Sequence, residues 1–175
     1  MKATHTPHML SGHRTLALVS VLVGAFAAIA CGRKPPPIST TIAASPDARV
    51  KAPLTIFVSA DTNPDPAGRP SPVVVRVYQL KADAAFNGAD FFALFDDDQK
   101  VLGSELISRD EFVMTPSEQR RIEVTVAGET RWLGAIAAFR DIRNAQWRVI
   151  MPASRRSLIL TVERAKIALS LAADR

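Results

Sequence analysis

Beyond Val50 most of the chain alternates apolar and polar positions with a period of two, the pattern of strands that face a core on one side and water on the other. Leu54, Ile56 and Val58 alternate with Thr55, Phe57 and Ser59, and Ile122, Val124 and Val126 alternate with Arg121, Glu123 and Thr125. The pattern returns at Leu158, Leu160 and Val162, and again at Ile167, Leu169 and Leu171. These twelve side chains are the expected core. Each contributes ~1.5–3 kcal/mol when buried, before conformational entropy is subtracted. Two further segments, Val73–Leu80 and Trp132–Phe139, are apolar on both faces, which predicts central strands covered on both sides.

One stretch departs from this period. From Ala84 to Phe95, Phe86, Phe91, Leu94 and Phe95 recur near helical spacing behind Asp83 as an N-cap. This predicts one short helix inserted between strands. Asp96, Asp97 and Asp98 are placed past its end, because acidic residues at a helix C-terminus oppose the macrodipole. Asp110 and Glu111 read as loop residues. Many strands, frequent turns and a single helix define an all-β protein, an antiparallel β-sandwich.

The N-terminal segment has another pattern. Lys2 and Arg14 enclose His5, His8 and His13, and an apolar run follows from Leu16 to Ala30, the order of a secretory signal peptide. At about 15 residues the run is short of the ~20 that a spanning helix needs, so residues 1–30 are expected to be removed. It ends Ala28-Ile29-Ala30-Cys31 with Gly32 next, which resembles the bacterial lipobox, although Ala28 stands where Leu is usual. Cys31 is the sole cysteine, which excludes an intramolecular disulfide and fits a thiol that accepts a diacylglyceryl group, followed by an N-acyl chain. At ~0.8 kcal/mol per buried methylene, two or more acyl chains suffice for stable anchoring. In the sorting pattern this resembles, Gly32 in place of Asp implies transport to the outer membrane. Residues 31–49 carry Pro35, Pro36, Pro37 and Pro46 without periodicity and read as a semi-rigid tether. Extended at ~3.1 Å per residue, some ~18 residues reach ~55 Å.

Of the 175 residues, about 145 remain for mature structure, enough for one domain at 50–175. The formal charge of +5 falls to about +3 without Lys2 and Arg14, too mild a surplus to imply a nucleic-acid partner. All three histidines lie in the predicted signal, so Ser-His-Asp, Cys-His and imidazole or thiolate metal sites are excluded from the mature domain. Asp96–Asp98 could meet a hard cation, but they lack a calcium loop's alternation and closing Glu, so a solvated turn is expected. The glycines form no phosphate loop. The expectation is therefore a binding or assembly module with no catalytic residues, cofactor or metal.

The most informative loop follows the first strand. Asp61 to Pro72 holds Pro64, Pro66, Pro70 and Pro72. It is either a stiff connection or a contact surface whose ordering entropy is reduced in advance.

At this loop and beyond, the chain resembles the type VI secretion lipoprotein family, TssJ (also VasD or Lip). The matching residues are Asn63-Pro64-Asp65, Gly68-Arg69-Pro70-Ser71-Pro72 running into Val73–Leu80, Phe86, Asp90-Phe91, Leu102-Gly103, Pro116, Leu133 to Arg140, and Ala145 to Arg148. The resemblance runs from the lipobox almost to the C-terminus. It implies a transthyretin-like (immunoglobulin-like) β-sandwich with an added helix. It further implies a place at the inner leaflet of the outer membrane, facing the periplasm. The implied partner is the periplasmic C-terminal region of TssM and, through it, the TssJ-TssL-TssM membrane complex of a contractile machine that injects effectors. The family's contact loop matches Asp61–Pro72. Asn63, Asp65 and Arg69 are then the expected polar contacts, with Pro64, Gly68 and Pro70 in the same site and the prolines holding its shape. Trp147 and Arg148 are expected to pack.

Two other readings make distinct demands. A transthyretin-like hydrolase needs histidines that this domain lacks. A lipoprotein that binds glycan or lipid on a sandwich face needs an exposed aromatic platform, for which Tyr78, Trp132 and Trp147 are available.

Overall fold

The period-two segments fold as strands, and the structure, a computed structural model, describes residues 49–173. The predicted signal, Cys31 and nearly all of the tether lie outside the described residues. In order the strands are β1 (Val50–Val58), β2 (Val73–Leu80), β3 (Leu106–Met114), β4 (Gln119–Val126), β5 (Trp132–Ala137), β6 (Arg148–Pro152), β7 (Leu158–Val162) and β8 (Ile167–Leu171). They form two sheets, β4-β1-β7-β8 and β3-β2-β5-β6. The inner faces of the two sheets share one apolar core.

Neighbouring strands are antiparallel except β1 and β7, which run parallel from Leu54 opposite Leu158 to Val58 opposite Val162. The expected antiparallel sandwich is the architecture observed, with this one parallel pair within it. β1 leaves for the other sheet, and β7 comes back from that sheet to lie beside it in the same direction. As a result β1 and β7 end at the same pole.

Nine of the twelve expected core side chains are buried, Leu54, Ile56 and Leu160 completely. Ile122 and Leu169 pack on the core from its margin. Leu171 is the exception at 36% exposure, because it is the last residue of an edge strand. The two segments apolar on both faces hold the central places of their sheet. Val73, Val75, Val77, Leu133 and Ala135 face the common core, while Tyr78, Leu80, Trp132 and Ile136 face a second cluster under the helical insertion.

That insertion is not one helix. It comprises α1 (Ala84–Gly88), α2 (Phe91–Asp96) and α3 (Asp98–Leu102), followed by a 3-10 turn at Gly103–Glu105. Asp83 makes no side-chain capping bond; Asp90 caps α2 through the Ala93 amide, and Asp97 caps α3 through the Lys100 amide. The aspartate triplet is thus corrected from a solvated turn to a helix junction. Its last member, Asp98, is buried.

Asp98 is the hub that fastens the insertion to the outer face of β2 and β3. One carboxylate oxygen accepts from Arg109 Nη1 at 2.7 Å and Tyr78 Oη at 3.2 Å, with Arg76 Nη1 3.7 Å away. Arg76 also donates to Glu111 and to the Phe95 carbonyl, and its guanidinium lies 4.1 Å over the Phe95 ring. Burial pushes the Tyr78 hydroxyl well above its ordinary pKa, so it stays a proton donor to Asp98. Asp110 and Glu111, expected in a loop, lie within edge strand β3, where Glu111 stands opposite Arg76.

Gly134 on β5 is required by packing. A Cβ there would lie 2.8 Å from Cζ of Phe86, a ring with no exposed surface. Gly134→Ala should therefore cost about 1–3 kcal/mol by overpacking. In a denaturant titration, Phe86→Leu in the same chain should recover part of that loss. Strict additivity of the two changes would contradict the contact.

Candidate functional site

Four connections meet at one pole of the sandwich. β1 runs into residues 59–72, β3 turns into β4 beside the start of β2, β5 runs into residues 138–147, and β7 turns into β8. Val50 begins β1 at the opposite pole, about 26 Å away at ~3.3 Å per strand residue. The chain therefore comes in at one end of the domain and presents its proline-rich loop at the other.

Asn63 locks this pole together. It is a non-glycine residue in the left-handed region, with φ +48, and it is 4% exposed. Its Nδ2 donates to the Pro72 carbonyl at 2.6 Å and its Oδ1 accepts from the Arg140 amide at 2.7 Å. Its own amide donates to the Arg164 carbonyl at 2.9 Å. One side chain thus closes its own loop and ties it to the β5–β6 connection, while its backbone reaches the β7–β8 turn. Thr62 adds a bond from its hydroxyl to the Glu163 carbonyl at 2.8 Å.

The tip of the loop is closed separately. The Asp65 carboxylate accepts from the Ala67 amide at 2.9 Å, the Arg69 amide at 2.9 Å and Arg69 Nε at 2.7 Å. Gly68 N donates to the Asp65 carbonyl, and its φ of +80 suits only glycine well. Pro66 sits at the second turn position, where its fixed φ is favourable. The Arg69 amide first, then its guanidinium and the Ala67 amide, hold the Asp65 carboxyl below the usual carboxylate range, against the smaller cost of desolvation. The clasp is charged and closed at neutral pH, and opens only as pH falls through that lowered value.

Of the six residues expected to meet a partner, the structure brings all into this loop but divides their work. Asn63 is corrected: it is buried, its amide is used on both sides, and it offers nothing to a partner. Asp65 faces inward, its side chain 15% exposed. Pro64 is half-buried. Gly68, Arg69 and Pro70 are on the outside, and the Arg69 side chain is 80% exposed.

Sequence reasoning did not single out the neighbours across the gap. A groove of about 470 Å³ lies between the loop, the β5–β6 connection and the β7–β8 turn, bordered by Pro64, Pro66, Phe139, Arg140, Arg164 and Ala165 together with Asp65 and Asp141. The polar Glu163–Lys166 stretch between two period-two strands was a legible hairpin turn. Its pairing with Asn63 was not.

Tyr78, Trp132 and Trp147 form no exposed platform. Tyr78 is fully buried. Trp132 and Trp147 are half-buried, and Trp147 packs edge-on against Phe91 at 5.3 Å. Arg148 lies 4.7 Å over Trp147 and donates to the carbonyls of Phe86 and Ala89, closing the end of α1. Both residues pack. Among the described residues no group of three or more His, Cys, Asp or Glu side chains is placed to hold a metal ion, and no helix is long and apolar enough to cross a membrane.

Two sheets with a helical cover on one outer face, and four connections meeting at one pole, define a β-sandwich domain. The comparisons specify which kind. The chain belongs to the family described as type VI secretion lipoprotein, VasD, EvfM, TssJ, VC_A0113, whose model matches residues 50–174. It is similar to the type VI lipoprotein TssJ1 from Pseudomonas aeruginosa at 35% identity, covering 73% of this chain and 100% of that one, with a TM-score of 0.69. A chain of a solved type VI membrane complex is 26% identical over 72% of this chain and 100% of its own, with a TM-score of 0.62. A chain in a structure described as the TssM C-terminal domain (869–1107) from EAEC shares the fold, at 24% identity over 71% of this chain and 100% of that one, with a TM-score of 0.60. No curated protein matches the sequence. The family is one of structural lipoproteins of a secretion machine, and the fold is theirs.

Proposed function

We propose that this protein is the outer-membrane anchor of a type VI secretion membrane complex. Residues 1–30 are removed, Cys31 is lipidated, residues 31–49 tether the domain, and the domain binds the periplasmic C-terminal region of TssM. The observation that carries this reading is the polarity of the fold. β1 begins at one pole and the exposed loop tip stands at the other, so Ala67, Gly68, Arg69 and Pro70 lie at the end of the domain remote from where the chain enters it and are left accessible to a partner. Family membership and the similarity to a chain of a type VI membrane complex support the same reading. The full burial of Tyr78 counts against the glycan- or lipid-binding alternative, and Trp132 and Trp147 are half-buried.

The test uses full-length protein in mild detergent and the periplasmic region of its cognate TssM. Ala67→Trp adds bulk at the exposed tip without touching the bonds inside the loop. It should weaken binding at least tenfold, equivalent to about 1.4 kcal/mol. Arg69→Ala should weaken it less. Wild-type affinity in both variants would remove the loop tip from the interface. Cys31→Ala should leave the membrane fraction and take up no labelled fatty acid, and a variant still fractionating with membranes would refute the anchor.

A further inference from the structure

We infer that the groove beside the loop receives an acidic segment of the partner, with an apolar side chain over its floor and carboxylates held by Arg140 and Arg164. The inference rests on the partner-binding reading above and adds to it two connections outside the loop.

The hydrogen-bonding capacity of the groove is one-sided. Its carboxylates are engaged within the domain: Asp65 takes three N–H donors from its own turn, and both oxygens of Asp141 share the Asn144 Nδ2 donor at 3.0 and 2.9 Å. Its donors are unspent. Neither the Arg140 nor the Arg164 guanidinium makes a hydrogen bond or salt bridge with another described residue, although the Arg140 charge helps to hold the Asp65 carboxyl low, and both side chains belong to exposed positions. Arg69 adds terminal nitrogens at the rim, since only its Nε is used by Asp65. A guanidinium presents five donors and no acceptor, so the group that completes this site is a carboxylate or another anion. Pro64, Pro66, Phe139 and Ala165 give the groove an apolar lining, which a bare inorganic anion would not use.

The two cations are also positioned in advance. The Arg140 amide is bonded to the Asn63 side chain and the Arg164 carbonyl to the Asn63 amide, so both backbones are fixed to the loop before any partner arrives. An anionic lipid headgroup has the required charge, but the groove lies at the pole opposite Val50, where β1 begins. That geometry favours a protein segment.

The test measures binding of the full-length protein, in mild detergent, to the cognate TssM periplasmic region at low and high salt. Arg140→Glu and Arg164→Glu should each weaken binding at least tenfold with unchanged melting temperature, and the salt dependence should shrink with each. Arg143→Glu, at the same pole but not bordering the groove, should bind within about twofold of wild type. Charge reversals that leave affinity unchanged, while Ala67→Trp abolishes it, would overturn this inference and keep the partner reading. No binding by the wild type would overturn the reading and the inference with it. Loss of binding to phosphatidylglycerol vesicles in the charge reversals, with TssM binding intact, would reassign the groove to lipid.

Discussion

Asp98→Ala is expected to lower the stability of the domain by about 3–5 kcal/mol, the usual result of removing one partner from a buried ion cluster. The change leaves Arg76, whose side chain is 11% exposed, beside an empty site, and strips Tyr78 of its acceptor. Arg76 keeps Glu111 and the Phe95 carbonyl, which holds the loss toward the lower half of that range. Asp98→Asn should fall between, since an amide oxygen can still accept from Tyr78 and Arg109 while the opposing charge is gone. For a domain of this size the alanine variant should melt roughly 12–20 °C lower. A loss below about 1 kcal/mol in urea titration would mean that the cluster contributes little and that the insertion is held by its phenylalanines alone. The insertion joins Leu80 to Leu106, and β2 starts at the loop pole and ends at Leu80. Folded Asp98→Ala protein should therefore bind the partner as wild type does, which separates the two halves of the molecule.

The strands most legible in the sequence were those whose surroundings are simple. β1 and β7 alternate because one face is buried and the other wet, and β2 and β5 do not alternate because the insertion covers their outer face. β3 was hidden by Arg109-Asp110-Glu111. Those charges suit an edge strand, where they discourage pairing with another chain, and two of them pair across to Asp98 and Arg76. Composition alone reads such a run as a loop. The helical insertion was legible as helix but not as three pieces, because the apolar spacing continues through the breaks. Only the local bonds of Asp90 and Asp97 set the starts of α2 and α3.

At the site, the turn chemistry of Asn63, Asp65, Pro66 and Gly68 could be read directly from residue types. The direction of each side chain could not. Asn63 faces inward because its amide meets the Arg140 amide, 77 residues away in the chain, and that meeting depends on β5 ending at the same pole as β1. The parallel pairing of β1 with β7 brings in Arg164 in the same way. A resemblance can name the loop; the long-range register decides which of its residues remain for a partner.

Asn63→Ala should cost about 2–4 kcal/mol although it removes no exposed side chain. Two contributions add. The Arg140 amide and the Pro72 carbonyl lose their partner, at roughly 0.5–1.5 kcal/mol per hydrogen bond, because both residues are exposed enough for water to replace it. Alanine at φ +48 adds about 1 kcal/mol of backbone strain that asparagine tolerates better. Asn63→Gly separates the two, because it relieves the strain and still loses both side-chain bonds, so it should be the milder variant by about that same 1 kcal/mol. Hydrogen exchange at the Arg140 amide gives the site-specific check: protection there should fall in both variants, while the Asp65–Arg69 clasp, which shares no bond with the Asn63 side chain, keeps its own. Protection of Arg140 equal to wild type would show that the amide has another partner. With the side-chain staple gone, the tip remains folded and keeps its backbone bond to Arg164 but no longer stands in fixed relation to Arg140, so affinity for the partner should drop even where the domain is fully folded. A variant that binds as wild type while losing that protection would mean that the partner, on binding, orders the pole by itself.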